Sequence, residues 1–379
     1  MSRAITFVDP LAPRGYSGAP GQLEGLGGTE ATLVRVCEGL SSRLQIMVRQ
    51  RMRPDRADWW GGVGYAGLDL KRPFPEAPGT IVVVNSWKVA LKLARLHSTS
   101  RVIVWQHVFP GRHNRALAPD LAAAGIEVLC VSRSHADWLR RFVGGGAAPA
   151  IGHVCNPIDD ALAPDDTPRD PDLLLFASSP HKGLGQVLER FEMLQADWPR
   201  LRLAIADPGY LAWPVGRMPP RVLPLGRLRQ PELIGWMRRA ACLFYPQDHF
   251  AETFGLVIAE ANAVGCPAVL QRGLGANDEV ASTAAQCIDS SDPDALRQAM
   301  AGWRDAAKRT SEIRVRPEFR FSQVLARWVD LLVPGAATRP SITPVPSPER
   351  FTTWQKTSTP TTPAPAAKPT RSQVISATR

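Results

Sequence analysis

Two doubly wound α/β units, joined by a short hinge and followed by a polar tail, are what this sequence predicts. Three observations carry the prediction. Short apolar runs alternate with amphipathic helical stretches along most of the chain. The alternation restarts after an acidic, proline-containing stretch at 159–171. The length of 379 residues suits two domains of about 100–200 residues each, with some chain left over.

In the first half, apolar strands are predicted at 4–8 (AITFV), 44–49 (LQIMVR), 80–84 (TIVVV), 101–105 (RVIVW) and 126–131 (IEVLCV), with helices over 29–40, 87–96 and 133–142. In the second half the strands are 172–177 (DLLLFA), 201–206 (LRLAIA), 221–224 (RVLP), 241–245 (ACLFY) and 267–270 (PAVL), with helices at 183–195, 230–239 and 254–264. Continuous apolar strands separated by helices imply parallel sheets covered on both faces. Such sheets bind ligands at the carboxyl ends of their strands, so the cleft between the two units is the expected site. The expected boundaries are 1–158 for an N-terminal domain and 159–317 for a C-terminal domain. An amphipathic helix at 318–333 is expected to pack back toward the N-terminal domain. The segment 334–379 is rich in Pro, Ser, Thr and Ala, with few large apolar residues to offset the entropy of ordering it, and is expected to be disordered.

Hydrophobic residues make up 44% of the chain, which supports a sizeable core, yet no run reaches the length of a membrane span. The N-terminus, MSRAITFVDP, enters a strand without the pattern of a signal peptide. Six scattered cysteines form no C-x-x-C pair, which fits a reducing cytoplasm and gives no zinc signature. The net charge of +10 is uneven: +8 over 1–150 (19 Lys and Arg, 11 Asp and Glu), −3 over 151–333 (20 and 23) and +5 over 334–379 (6 and 1). A basic first half suggests an anionic partner, such as a membrane surface or a phosphorylated acceptor. No nucleic-acid-binding motif accompanies the charge, so a nucleic-acid partner is not expected. The segment 132–143, SRSHADWLRRFV, puts Trp138, Leu139 and Phe142 on one side of a helix with Arg133, Arg140 and Arg141 on its flanks. It could lie in a membrane interface or equally against its own sheet.

The densest signal is at 250–280, FAETFGLVIAEANAVGCPAVLQRGLGANDEV. Glu252 precedes a predicted helix and Glu260 lies about two turns inside it, roughly 9 Å along the axis. A diphosphate suits the free N–H groups and positive dipole end of that helix, with Gly255 permitting close approach of the backbone. One carboxylate before the helix and one within it can then accept hydrogen bonds from sugar and ribose hydroxyls. Isolated, such a spacing would describe any amphipathic helix with two solvated glutamates. The surrounding F-G-x-x-x-x-E-A-x-A-x-G-x-P sets it apart.

With that segment the chain resembles glycosyltransferase family 4, whose fold is GT-B: two Rossmann-like doubly wound domains facing across a cleft. The resemblance covers roughly residues 4–330, and it implies that 1–158 is the acceptor-side domain and 159–317 the nucleotide-sugar-binding one. It implies that Glu252 lies at the donor sugar, that Glu260 binds the nucleoside ribose, and that backbone amides of Phe254, Gly255 and Leu256 meet sugar and phosphate. Gly27 and Gly28, after the first strand, match the family's glycine loop facing the diphosphate. Lys182, in a Lys-Gly pair after the strand DLLLFA, matches a lysine that neutralises the diphosphate. His107, ending RVIVWQH, matches a histidine near the donor sugar. Two departures stand out: Ser178-Ser179-Pro180-His181 occupies the stretch where the family carries arginine, and Cys155-Asn156-Pro157 replaces its usual P-N-G.

The resemblance implies a retaining hexosyltransferase that takes a nucleotide sugar to a glycan or lipid-linked acceptor, as in surface polysaccharide or lipopolysaccharide synthesis. It implies no cofactor and no metal. The Asp-x-Asp pairs at Asp170/Asp172 and Asp292/Asp294 each span a proline at the start of an element and are read as turn or cap carboxylates. The expected location is cytoplasmic, with peripheral contact at an anionic membrane. A nucleotide-sugar epimerase or phosphorylase of the same architecture, and a non-catalytic nucleotide-sugar-binding protein, are the competing readings.

Overall fold

The computed structural model describes residues 4–209, 218–305 and 313–333; the segment 334–379, expected to be disordered, lies outside them. The first unit contains β1 (Ala4–Asp9), α1 (Gly28–Ser41), β2 (Gln45–Gln50), β3 (Asp58–Trp60), β4 (Val63–Gly67), β5 (Thr80–Val84), α2 (Trp87–Leu96), β6 (Val102–Gln106), α3 (Ala118–Ala123), β7 (Glu127–Cys130), α4 (Arg133–Val143) and β8 (Ile151–His153). The second contains β9 (Asp170–Ala177), α5 (Leu184–Asp197), β10 (Arg202–Ala206), β11 (Val222–Gly226), α6 (Gln230–Arg239), β12 (Ala240–Tyr245), α7 (Leu256–Ala263), β13 (Ala268–Gln271), α8 (Asn277–Val280), β14 (Cys287–Ile288) and α9 (Pro293–Arg304). A last helix, α10 (Phe321–Leu332), follows.

The strands form an eight-stranded sheet, β3-β4-β2-β1-β5-β6-β7-β8, and a six-stranded sheet, β11-β10-β9-β12-β13-β14. Every described pairing is parallel except the edge pair β3–β4. In the first sheet, strand periodicity divides the core between two faces. Phe7, Val82, Val84, Ile103 and Trp105 face one side, whereas Val8, Ile81, Val83, Val102 and Val104 face the other. The first side is covered in part by α10, which comes from the end of the described chain: Trp328 is fully buried, with its ring 5.9 Å from Phe7 and 4.8 Å from Trp105. Arg101 secures that helix by donating to the Leu331 carbonyl at 2.6 Å.

The helix at 132–143 packs its apolar stripe inward. Leu139 is fully buried, Trp138 stacks on Phe142 at 5.0 Å, and Phe109 meets Trp138 edge-on at 4.6 Å. The sheet, whose apolar face needs cover, thus claims the side chains that could have entered a lipid interface. Both Asp-x-Asp pairs are engaged locally. Asp170 pairs with Arg202 and accepts the Asp172 amide at 2.9 Å, Asp172 pairs with Arg304, and Asp292 caps α9 by accepting the Asp294 amide at 2.9 Å.

Several elements were not expected. The β3–β4 hairpin runs through glycine-rich sequence with no continuous apolar run, and α8, α9 and β14 complete the second unit. The helix expected at 254–264 begins at Leu256 because Gly255 adopts φ +91°, a left-handed conformation outside the helical region.

Candidate functional site

The site starts where two neighbouring parallel strands end. After β9 the chain turns through Ser178–His181, with the Lys182 amide donating to the Ser179 carbonyl at 2.9 Å, and enters α5 behind Lys182-Gly183. After β12 the loop 246–255 is shaped from within by the fully buried Gln247. Its Oε1 accepts the amides of His249 (2.9 Å) and Phe250 (2.7 Å), and its Nε2 donates to the Phe250 carbonyl at 2.8 Å. The Glu252 carbonyl accepts the Ala276 amide at 2.9 Å, which ties the loop to the segment before α8.

These turns bring Lys182 and Glu252 together. The lysine Nζ is 2.9 Å from Oε1 and 3.2 Å from Oε2, and the Tyr245 hydroxyl donates to Oε1 at 3.0 Å. Lys182 also lies over the Phe250 ring, 4.6 Å from its centroid, an attraction between cation and π face. Both charged side chains are largely buried, where their interaction is screened less than at the surface. Burial, followed by the neighbouring Lys182, lowers the pKa of His181.

Glu260 lies only about 6 Å into α7, less than the sequence suggests, because the helix starts two residues late. Its carboxylate accepts Gln230 Nε2 at 2.7 Å and sits 3.9 Å from Arg35 Nη1, while Arg35 Nη2 donates to Gln230 Oε1 at 2.6 Å. Burial raises the Glu260 pKa, and Arg35 and Gln230 counter it in part. Arg35 belongs to α1, so the contact spans the two units.

Other contacts close the same cleft. Thr253 Oγ1 donates to the His107 carbonyl at 2.7 Å, and Ser132 Oγ donates to the Thr253 carbonyl at 2.6 Å. Glu279 accepts the amides of Arg133 (2.9 Å) and Ser134 (2.7 Å), so a carboxylate from the second unit already occupies the N-terminus of α4. His107 is buried against Trp105, with ring centroids 4.3 Å apart, and its Nε2 has no hydrogen-bond partner among the described residues. Burial, with a smaller effect from His135, pushes its pKa down to about 3, which keeps the ring neutral.

The glycine loop meets α7. Gly27 precedes α1 and its amide donates to Glu30 at 3.0 Å, satisfying a free N–H at the helix start. A Cβ at Gly28 would stand 2.9 Å from Leu256 Cδ1, so a side chain there would crowd the first turn of α7. Phe254 is buried, with its ring 5.1 Å from that of Phe319. Lys182, Glu252, Gly28 and Leu256 thus gather about the N-termini of α1, α5 and α7, where orphan amides and dipole ends favour an anion.

Tyr245, Phe250, Gln230 and Arg35 were not singled out from sequence. Tyr245 and Phe250 sit within the dense segment or at its approach, and a closer reading of that stretch could have found them. Arg35 and Gln230 are 195 residues apart and carry no local signal. Arg227 follows β11, donates to the Pro208 carbonyl at 3.1 Å and reaches the glycine loop, where a Cβ at Gly25 would stand 3.2 Å from its Nη1.

Residues 166–313 match the family model described as glycosyl transferases group 1. Solved structures resemble the chain over most of its length. An α,α-trehalose 6-phosphate synthase from Burkholderia multivorans is 13% identical, with a TM-score of 0.61 over 88% of this chain and 96% of that one. The α,α-trehalose-phosphate synthase (UDP-forming) from Burkholderia xenovorans, solved with glucose-6-phosphate, is 12% identical, with a TM-score of 0.59 over 86% and 99%. AviGT4, a glycosyltransferase involved in avilamycin A biosynthesis, is 16% identical, with a TM-score of 0.55 over 87% and 98%. No curated protein sequence matches the chain. The likeness shows the fold, which is GT-B.

Proposed function

We propose that the protein is a retaining hexosyltransferase of glycosyltransferase family 4, moving a sugar from a nucleoside-diphosphate donor to a glycan or lipid-linked acceptor. The observation that carries the reading is the Lys182–Glu252–Tyr245 cluster at the N-terminal turns of α5 and α7. The match of 166–313 to a glycosyltransferase family supports sugar transfer from an independent direction.

In this reading the diphosphate lies on the amides around Gly27, Gly28 and Phe254–Leu256, with Lys182 as its cation. Once a donor enters, Lys182 turns from Glu252 to the phosphates and Glu252 is released to the sugar hydroxyls. The Lys182 charge and the helix amides stabilise the negative charge that develops as the nucleoside diphosphate departs. Glu260 binds the ribose, exchanging Gln230 and Arg35 for the diol. Arg227, beside Gly25, takes the place of the arginine missing near Ser178-Ser179. His107, neutral and with a free Nε2, faces the donor sugar. No metal is needed because Lys182 and the helix termini supply the positive charge. A cytoplasmic location suits six free thiols, and surface polysaccharide or lipopolysaccharide synthesis would supply an acceptor of this class.

A thermal-shift screen of nucleoside diphosphates and their sugars, followed by turnover with and without acceptors, tests the reading. A ligand at 100 times its Kd should stabilise the protein by about 2.7 kcal/mol. Stabilisation by no nucleoside diphosphate would refute the donor site. Conversion of the donor to an epimer without any acceptor would replace transfer with epimerisation.

A further inference from the structure

Trp59 and Trp60 are 67% and 45% exposed on the edge strand β3. Trp87, Trp105 and Trp328 are by contrast fully buried. Adjacent exposed indoles on an open sheet edge forgo the free energy of burial and leave unpaired backbone groups available. Their exposure is built in. Arg53 grips Asp58 through three bonds of 2.7, 2.8 and 3.1 Å, and Ser41 Oγ, at the end of α1, donates to the Gly61 carbonyl at 3.0 Å. The hairpin is therefore anchored at both ends with its indoles outward. Met52, just beyond β2, is 56% exposed. Arg51, Arg56 and Lys71 are exposed in the same stretch and form no ion pair among the described residues.

We propose that this edge is a membrane-docking surface, with Trp59, Trp60 and Met52 entering the interface and Arg51, Arg56 and Lys71 meeting anionic lipid headgroups. Neighbouring residues of a strand project to opposite faces. A sugar ring stacking on the edge would use one indole, whereas a lipid interface surrounds a protruding edge and takes both. Tryptophan suits that depth, having an apolar body and a polar N–H, and basic side chains extend from it to lipid phosphates. The +8 charge of residues 1–150 complements an anionic leaflet. The surface lies apart from α4, whose apolar stripe is taken up by its own sheet. It is also independent of the donor site.

The full-length protein should be sedimented with vesicles of phosphatidylglycerol mixed with phosphatidylcholine, and with phosphatidylcholine alone, at low and high salt. Wild type should pellet with the anionic vesicles at low salt and be released by salt. The double variant Trp59→Ser/Trp60→Ser should partition about tenfold less, since binding follows buried apolar area. Arg51→Glu/Arg56→Glu should abolish the anionic preference. Unfolding midpoints should stay at the wild-type value in both. Brominated phosphatidylglycerol should quench wild-type tryptophan fluorescence, a readout that needs no variant. Absence of quenching, or tryptophan variants that pellet like wild type, would overturn the proposal. So would variants that keep vesicle binding while their KM for a water-soluble glycan acceptor rises, an outcome that makes the indoles a sugar platform.

Discussion

Lys182 and Glu252 meet with Nζ 2.9 Å from Oε1, at the ends of the adjacent strands β9 and β12. Each neutralises the other while Tyr245 holds the carboxylate from a third direction at 3.0 Å. The pair keeps two largely buried charges in opposition; in the proposed reading, the phosphate and hydroxyl groups of a donor take the place of each partner.

Replacing Glu252 should separate turnover from nucleotide affinity. Glu252→Gln keeps the shape but weakens an acceptor placed at the sugar, so kcat should fall on the order of 10²-fold, as for loss of one preorganised electrostatic contact. Affinity for the nucleoside diphosphate should change little. Lys182→Ala should weaken nucleoside diphosphate binding by about 1.5–3 kcal/mol and lower kcat as well, because its charge also steadies the departing diphosphate. Calorimetry beside steady-state kinetics reads both, and a collapse of nucleoside diphosphate binding in Glu252→Gln would reverse the assignments.

Glu260→Ala should weaken nucleoside diphosphate binding by roughly 1.5–3 kcal/mol, the range for hydrogen bonds to a charged group. Arg35→Ala should matter less, under about 1 kcal/mol, because its 3.9 Å contact with Glu260 is long and its side chain is partly exposed. Equal affinities in wild type and Glu260→Ala, measured by calorimetry, would remove the ribose role.

His107 and His135 link stability to pH. Burial depresses their pKa values to about 3 and about 4. Each folded value lies below the unfolded value near 6.5, so the unfolded chain takes up protons first as pH falls. The contribution is complete above pH 6.5 and declines toward the folded values. Between pH 7.5 and pH 5 the loss should be on the order of 2 kcal/mol per histidine. Denaturant melts at the two pH values should show a smaller acid loss for His107→Leu than for wild type; an identical loss would place the titration elsewhere.

Donor turnover should persist in chelator and gain nothing from manganese or magnesium. The Asp170, Asp172 and Asp292 carboxylates are committed to Arg202, Arg304 and the cap of α9, and Asp294 pairs with Arg297. Activity abolished by chelator and restored by either ion would show that Lys182 and the helix amides do not carry the charge alone.

Local patterning determined the two doubly wound units. Helices at 87–96 and 230–239 occupy the residues their periodicity indicates, because an apolar stripe against a sheet and a cap are written within a single turn. The segment 250–280 marked the candidate site by the same local logic. Tertiary structure decided what one stretch of chain cannot encode. Whether Trp138 and Phe142 face lipid or protein depends on which apolar surface is nearest, and their own sheet, with Phe109, supplies it. The β3–β4 hairpin exists because β2 offers an open parallel edge to Val63–Gly67, although glycine leaves that stretch without a strand-like apolar run. Arg35 reaches Gln230 and Glu260, and Thr253 reaches His107, only when the carboxyl ends of the two sheets are brought face to face. Such contacts join residues more than a hundred positions apart, and packing of the whole chain selects them.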